Sequence, residues 1–185
     1  MEIRRLDIPE VLLLRPEKFV DERGFFSETF NQAEFEKAGL DERFVQDNHV
    51  TNSKAGTVRG LHFQAPPNAQ GKLVRVVRGS VFDVALDIRR GSPTFGRFVS
   101  ATLSADNWYQ IWVPEGFAHG YCTLEPDTEV LYKVTDFHAP ESDAGVAWDD
   151  PALAINWPVE AGSAVLAEKD LKHPTLTQSP PYFRY

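Results

Sequence analysis

A histidine stands inside an alternating segment, TVRGLHFQAPPNAQGKLVRVVRGSVFDV, residues 57–84. His62 has Arg59 three residues before it and Lys72 ten residues after it. Nearby cations disfavour the protonated form of a histidine, which leaves a neutral imidazole able to accept a proton at pH 7. The same cations would stabilise a developing oxyanion or bind a phosphate. A base and an oxyanion stabiliser together suit removal of a proton α to a carbonyl. Inversion then requires an acid on the opposite face, and Tyr132, in the apolar run VLYKV, can supply one. A second histidine, His119, follows a turn in VPEGFAHGY. Each of these residues also has a structural reading: His62 as a core histidine, Tyr132 as a core aromatic, Arg59 as a solvated strand cation.

The elements that must hold these groups read mostly as short strands. KLVRVVRG turns at Gly79-Ser80 into VFDVALDIR, where Val81, Asp83, Ala85 and Asp87 alternate with Phe82, Val84, Leu86 and Ile88. RFVSATLSA, YQIWVPEG, HGYCTLEP and TEVLYKVTDF follow. Glycine and proline recur about every ten residues, as in an all-β sandwich or barrel. One helix is expected in FNQAEFEKAGL, with Asn31 as N-cap, Glu34 completing a capping box, Phe30, Ala33, Phe35 and Ala38 on one side, and Gly39 as the stop. The C-terminal third lacks regular pattern and is expected to wrap the barrel. A chain of 185 residues suits one domain with a real core, taken here as 1–185.

Two spacings resemble the cupin barrel signature: Gly56-x5-His62, followed by Gln64, and Pro114-x-Gly116-x2-His119. The resemblance implies a mainly β, cupin-type double-stranded β-helix, or jelly roll, with a few short helices. Cupins commonly use these histidines to hold a metal. Here Gln64 occupies the second ligand position, no glutamate follows at the expected distance, and Lys72 would repel a cation. No metal and no other cofactor is therefore expected.

Composition narrows the partners. A formal net charge of −8 argues against broad binding to nucleic acid or anionic membrane, while leaving room for a local basic pocket. The single cysteine, Cys122, excludes an internal disulfide framework. The N-terminal apolar run, Val11 to Leu14, is too short for a secretory signal. No run approaches the roughly 20 apolar residues of a spanning helix. A cytoplasmic protein is expected.

Over residues 3–175, the segments GFFSETF, FVQDNHVTNSKAGTVRGLHFQ, GKLVRVVRGSVFDVALDIRRGSPTFGR, VPEGFAHGYCTLEPDTEVLYKVTDF, APESDAGVAWDDP and EKD together resemble the dTDP-4-dehydrorhamnose 3,5-epimerase family. The resemblance implies a metal-free homodimer acting on dTDP-4-dehydro-6-deoxy-D-glucose to give dTDP-4-dehydro-L-rhamnose for polysaccharide biosynthesis. It assigns His62 as general base, Asp170 as the carboxylate orienting it, Tyr132 as general acid and Lys72 as the group beside the 4-keto oxygen. It places Arg23, Phe26, Glu28, Gln46, Asn48, Arg59, His119, His138, Asp143 and Lys169 among the substrate-binding residues, with Arg23 and its neighbours reaching across the dimer. The chain departs from the family pattern at His138, where a tyrosine stacks on the thymine, and at Asp143, often a glutamate. Alternatives are an epimerase of C3 alone, an epimerase of another 4-keto sugar nucleotide, and a non-catalytic sugar-nucleotide-binding cupin. Binding alone, however, needs neither a base nor an acid.

Overall fold

A computed structural model describes residues 1–185, the side chain of Ala161 excepted. In chain order its strands are β1 Glu2–Arg5, β2 Leu12–Arg15, β3 Phe19–Asp21 and β4 Gly24–Phe26, then helix α1 Gln32–Lys37. There follow β5 Gln46–Asn52, β6 Val58–Gln64, β7 Lys72–Arg78, β8 Ser80–Asp87, β9 Arg89–Arg90, β10 Phe98–Ser104 and β11 Gln110–Val113. The last are β12 Phe117–Thr123, β13 Thr128–Val134, β14 Asp143–Gly145 and β15 Phe183–Arg184. Two antiparallel sheets make the barrel, in the orders β1-β2-β11-β7-β13-β5 and β10-β8-β12-β6-β14.

Alternation along the strands decides what lies between the sheets. Val74 and Val76 of β7, Val81 and Ala85 of β8, Phe117 and Tyr121 of β12, and Val130 of β13 form the inter-sheet core. The opposite faces are buried as well. Behind the five-stranded sheet, Leu61, Phe63, Val84, Leu86 and Cys122 pack against Trp148, Leu153, Trp157 and Leu176 of the C-terminal segment. That segment wraps the barrel as its irregular sequence suggested.

Behind the other sheet, Leu12, Leu14, Leu73 and Trp112 meet Phe35 of α1. Asn31 caps α1 by accepting from the Ala33 amide. Glu34, however, pairs with Lys37 at 2.7 Å, so only half of the expected capping box forms. Ala33 is exposed, and Phe35 is the one buried side chain of the helix. Six residues are too few for a stable isolated helix. Burial of Phe35, about 1.5–3 kcal/mol, is what fixes it to the sheet.

Registration of β6 on β12 sets the site. His62 lies opposite His119, but Arg59 lies opposite Tyr121, so β6 carries one extra residue there, a β-bulge. Gly60 makes this possible. Its φ is +132°, and a Cβ on it would lie 2.6 Å from the Gly120 Cα. The two strands touch backbone to backbone at this point, beside the histidine.

Candidate active site

One end of the barrel holds a cavity of about 310 Å³ lined by His62, Lys72, Tyr132, Gln46, Asn48, His138, Asp143 and Lys169, among others. The groups come from five strands, the connection after β13 and the C-terminal segment. His62 is on β6 and Lys72 begins β7. Tyr132 on β13 pairs in register with Asn48 on β5 and with Val74 on β7. Asp170 comes from the C-terminal segment, where residues Asp170–Lys172 form a single 3-10 turn.

His62 Nε2 lies 2.5 Å from Asp170 Oδ1, and the Asp170 side chain is only 2 % exposed. A buried carboxylate facing Nε2 favours the tautomer with the proton on that nitrogen, which leaves the lone pair on Nδ1. Lys72 Nζ donates to the His62 carbonyl at 3.4 Å. Burial pulls the Lys72 ammonium down to about 8, against the opposing pull of the Asp143 and Asp83 carboxylates. Burial also raises the Tyr132 hydroxyl above its ordinary value, an effect only reduced by Arg59 and Lys169, so at neutral pH it carries its proton.

The remaining polar wall is tied together. Gln46 donates to Asn48 Oδ1 at 2.9 Å and accepts from the His138 amide at 3.1 Å. Lys169 pairs with Asp143 at 3.1 Å. His138 is exposed and lines the cavity.

Other residues expected at the site stand elsewhere. Arg59 is exposed next to the cavity, its Nε donating to Asn52 Oδ1 at 2.8 Å. His119 is buried and does not line the cavity, with Nε2 2.9 Å from both oxygens of Asp83. Arg23, Phe26 and Glu28 lie on or just after the exposed β3–β4 hairpin, where Arg23 pairs with Asp21 at 2.5 Å. None of the three lines the cavity of its own chain.

Three residues were not singled out by sequence. Asp83 is fully buried, holds His119 and pulls electrostatically on Lys72. Its signal was a carboxylate on the inward, apolar face of β8. His173 approaches Asp170 Oδ1 at 3.8 Å, and its signal was the three-residue spacing after Asp170. Tyr121, its hydroxyl pushed up to about 12 by burial, accepts from the Asn52 amide at 3.5 Å.

The metal position of a cupin is not assembled. The Gln64 amide is committed to the chain, donating to the Asn68 and Phe137 carbonyls and accepting from the Ala139 amide. His119 is engaged by Asp83. The Gln64 amide and the His119 Nε2 are thus engaged by the chain itself.

Two antiparallel sheets with His62 and His119 on neighbouring strands make this a cupin-type jelly roll whose mouth carries acid–base groups. The family model described as dTDP-4-dehydrorhamnose 3,5-epimerase matches residues 5–178, and the chain belongs to that family. It is 54% identical to the dTDP-4-dehydrorhamnose 3,5-epimerase of Sinorhizobium fredii over 185 residues, covering 100% of this chain and 94% of the relative. The crystal structure of a dTDP-6-deoxy-D-glucose-3,5-epimerase from Legionella pneumophila, in complex with dTDP-4-keto-L-rhamnose, matches with a TM-score of 0.94 at 44% identity. That match covers 100% of this chain and 98% of the other. A 3'-monoepimerase from Streptomyces bikiniensis, in complex with dTDP-quinovose, matches with a TM-score of 0.86 at 32% identity, covering 93% of this chain and 86% of that one.

Proposed function

We propose that the protein epimerises dTDP-4-dehydro-6-deoxy-D-glucose at C3 and C5, giving dTDP-4-dehydro-L-rhamnose, without metal or other cofactor. The observation that carries this reading is the placement of the His62–Asp170 pair and Tyr132 around one cavity that also holds Lys72. His62 takes the proton from the carbon next to the 4-keto group. The bond's electrons move onto the keto oxygen, where the Lys72 ammonium stabilises the enolate. Tyr132 returns a proton to the opposite face of that carbon. His62 then holds one proton more and Tyr132 one fewer, and exchange with solvent resets both. Asp170 stabilises the imidazolium formed on the way.

The test is proton NMR of dTDP-4-dehydro-6-deoxy-D-glucose with the protein in D2O. Wild type should exchange and invert both C3 and C5. His62→Ala should lose about 100- to 10,000-fold of exchange at both carbons. Tyr132→Phe should retain exchange while net inversion falls further behind. Exchange confined to C3 would make the protein a C3 epimerase. Unimpaired exchange in folded His62→Ala would remove the base from this mechanism.

A further inference from the structure

We propose that His62, Asp170 and His173 form a binding site for a divalent transition-metal ion, zinc by chemistry, whose occupation blocks turnover. The three residues each bring one donor atom, and these atoms all lie within 4.8 Å of one another. Two imidazole nitrogens and a carboxylate are a zinc donor set, and such a set leaves a fourth position for water. The position is distinct from the cupin site, because Gln64 and His119 take no part in it.

His173 is the residue that makes the site more than a base and its orienting carboxylate. Its Nε2 is buried and has no hydrogen-bond partner among the described residues. A buried imidazole nitrogen without a partner carries a desolvation cost that a ligand would relieve. That nitrogen points at the same oxygen of Asp170 that His62 uses, 3.8 Å away against 2.5 Å. The two rings stand edge to face, with centroids 5.4 Å apart and planes at 74°.

The fold holds His173 in place. Its ring fills the notch at Gly145, where a Cβ would come within 2.6 Å of ring atoms Cδ2 and Nε2. Gly145 is the β14 residue paired with His62. The backbone therefore brings His173 against the same strand position that carries the first ligand. Bonds of about 2.0–2.1 Å in a tetrahedral site put ligand atoms about 3.3 Å apart. Small rotations of the three side chains reach that spacing from the distances present. For the ion to bind Nε2, the ring proton of neutral His62 shifts from Nε2 to Nδ1, and the freed Asp170 oxygen turns to the ion, with no net proton released. Two ammonium groups stand near the site: Lys169 is paired with Asp143 and Lys72 donates to the His62 carbonyl, and the Asp170 carboxylate in the donor set offsets their repulsion of the ion.

The binding part of the proposal stands on geometry alone; the block of turnover rests on His62 being the base. The experiment separates them. Metal-free protein is titrated with cobalt(II), read by its visible d–d absorption, and with zinc, read by turnover. Wild type should show the intense band of four-coordinate cobalt and lose turnover to zinc, with full recovery on adding a chelator. His173→Phe keeps a ring against Gly145 and removes the nitrogen. It should keep turnover without metal, lose the cobalt band, and require at least about a hundredfold more zinc for inhibition, more than is lost with an outer-sphere partner. His62→Gln, read by cobalt absorption alone, should also lose the band. No band in wild type, or an unchanged band and unchanged inhibition in His173→Phe, overturns the site. A band that depends on His173 with turnover untouched by zinc keeps the site and overturns His62 as the base.

Discussion

At the scale of single residues, the barrel works by controlling which groups are charged. Lys72 is the clearest case, because burial lowers it from 10.5 to about 8. Its ammonium is intact below that value and is lost as pH rises through it. A lysine in an unfolded chain keeps its proton to about 10.4. Between the two values the unfolded state binds more protons at this position, so the contribution of Lys72 to stability rises with pH. Activity and stability thus respond in opposite directions. With Lys72 serving the enolate, kcat/KM should bend downward with a midpoint near pH 8 while thermal unfolding shows no matching loss from this group. Lys72→Arg keeps a charge at all these pH values and should flatten the bend. Lys72→Met should lie about 100- to 1,000-fold below wild type, with no bend near 8. A wild-type profile that is level through pH 8, or the same bend in Lys72→Met, would separate Lys72 from the chemistry.

At the scale of elements, the β6–β12 crossing places the base. Gly60 occupies a conformation that side chains rarely adopt and touches Gly120 through backbone atoms. Gly60→Ala should cost about 1–3 kcal/mol from backbone strain alone, seen as a lower denaturant midpoint, with more from the clash. Because His62 is two residues away on the same strand, the variant should lose turnover beyond its loss of folded fraction. An Ala variant with the wild-type midpoint would show that the strands can part here without cost. Much of this architecture was legible: β8 divides into Val81, Asp83 and Ala85 on one face and Phe82, Val84 and Leu86 on the other, and the spacings around His62 and His119 announce neighbouring strands. β2 was not legible, because Leu12, Leu13 and Leu14 are all buried. Leu13 faces the inter-sheet core while Leu12 and Leu14 face Phe35, so no alternation marks the strand. Asp170 reached the site only through family resemblance, since its distance to His62 depends on how an irregular segment returns over the barrel. His173 escaped notice because only the fold brings Asp170, the carboxylate it approaches, against a second histidine.

At the scale of the whole molecule, one chain leaves part of its expected site unused. Arg23 lies on an exposed hairpin, and neither it nor Phe26 nor Glu28 reaches the chain's own cavity. The same hairpin exposes Phe19, Val20, Phe25 and Phe26, from 53% to 76% of each. Apolar exposure of this extent on adjacent residues marks an interaction surface. We propose that the hairpin docks on a second copy of the chain and that Arg23 completes the partner's cavity as a charge-assisted donor to substrate. A bond of that kind contributes about 1.5–3 kcal/mol, so Arg23→Ala should lower kcat/KM by roughly 10- to 150-fold. A mixing experiment then distinguishes completion in trans from completion within one chain. Arg23→Ala and His62→Ala proteins are denatured together in equal amounts and refolded. In a mixed dimer, one cavity has its own His62 and receives Arg23 from the His62→Ala subunit, so it is intact. The other cavity lacks both. Random pairing makes half of the dimers mixed, each with one working site of two, so kcat/KM at low substrate should recover to about a quarter of wild type. Recovery no greater than the average of the two separate variants, in a preparation shown to contain mixed dimers, would confine each site to its own chain.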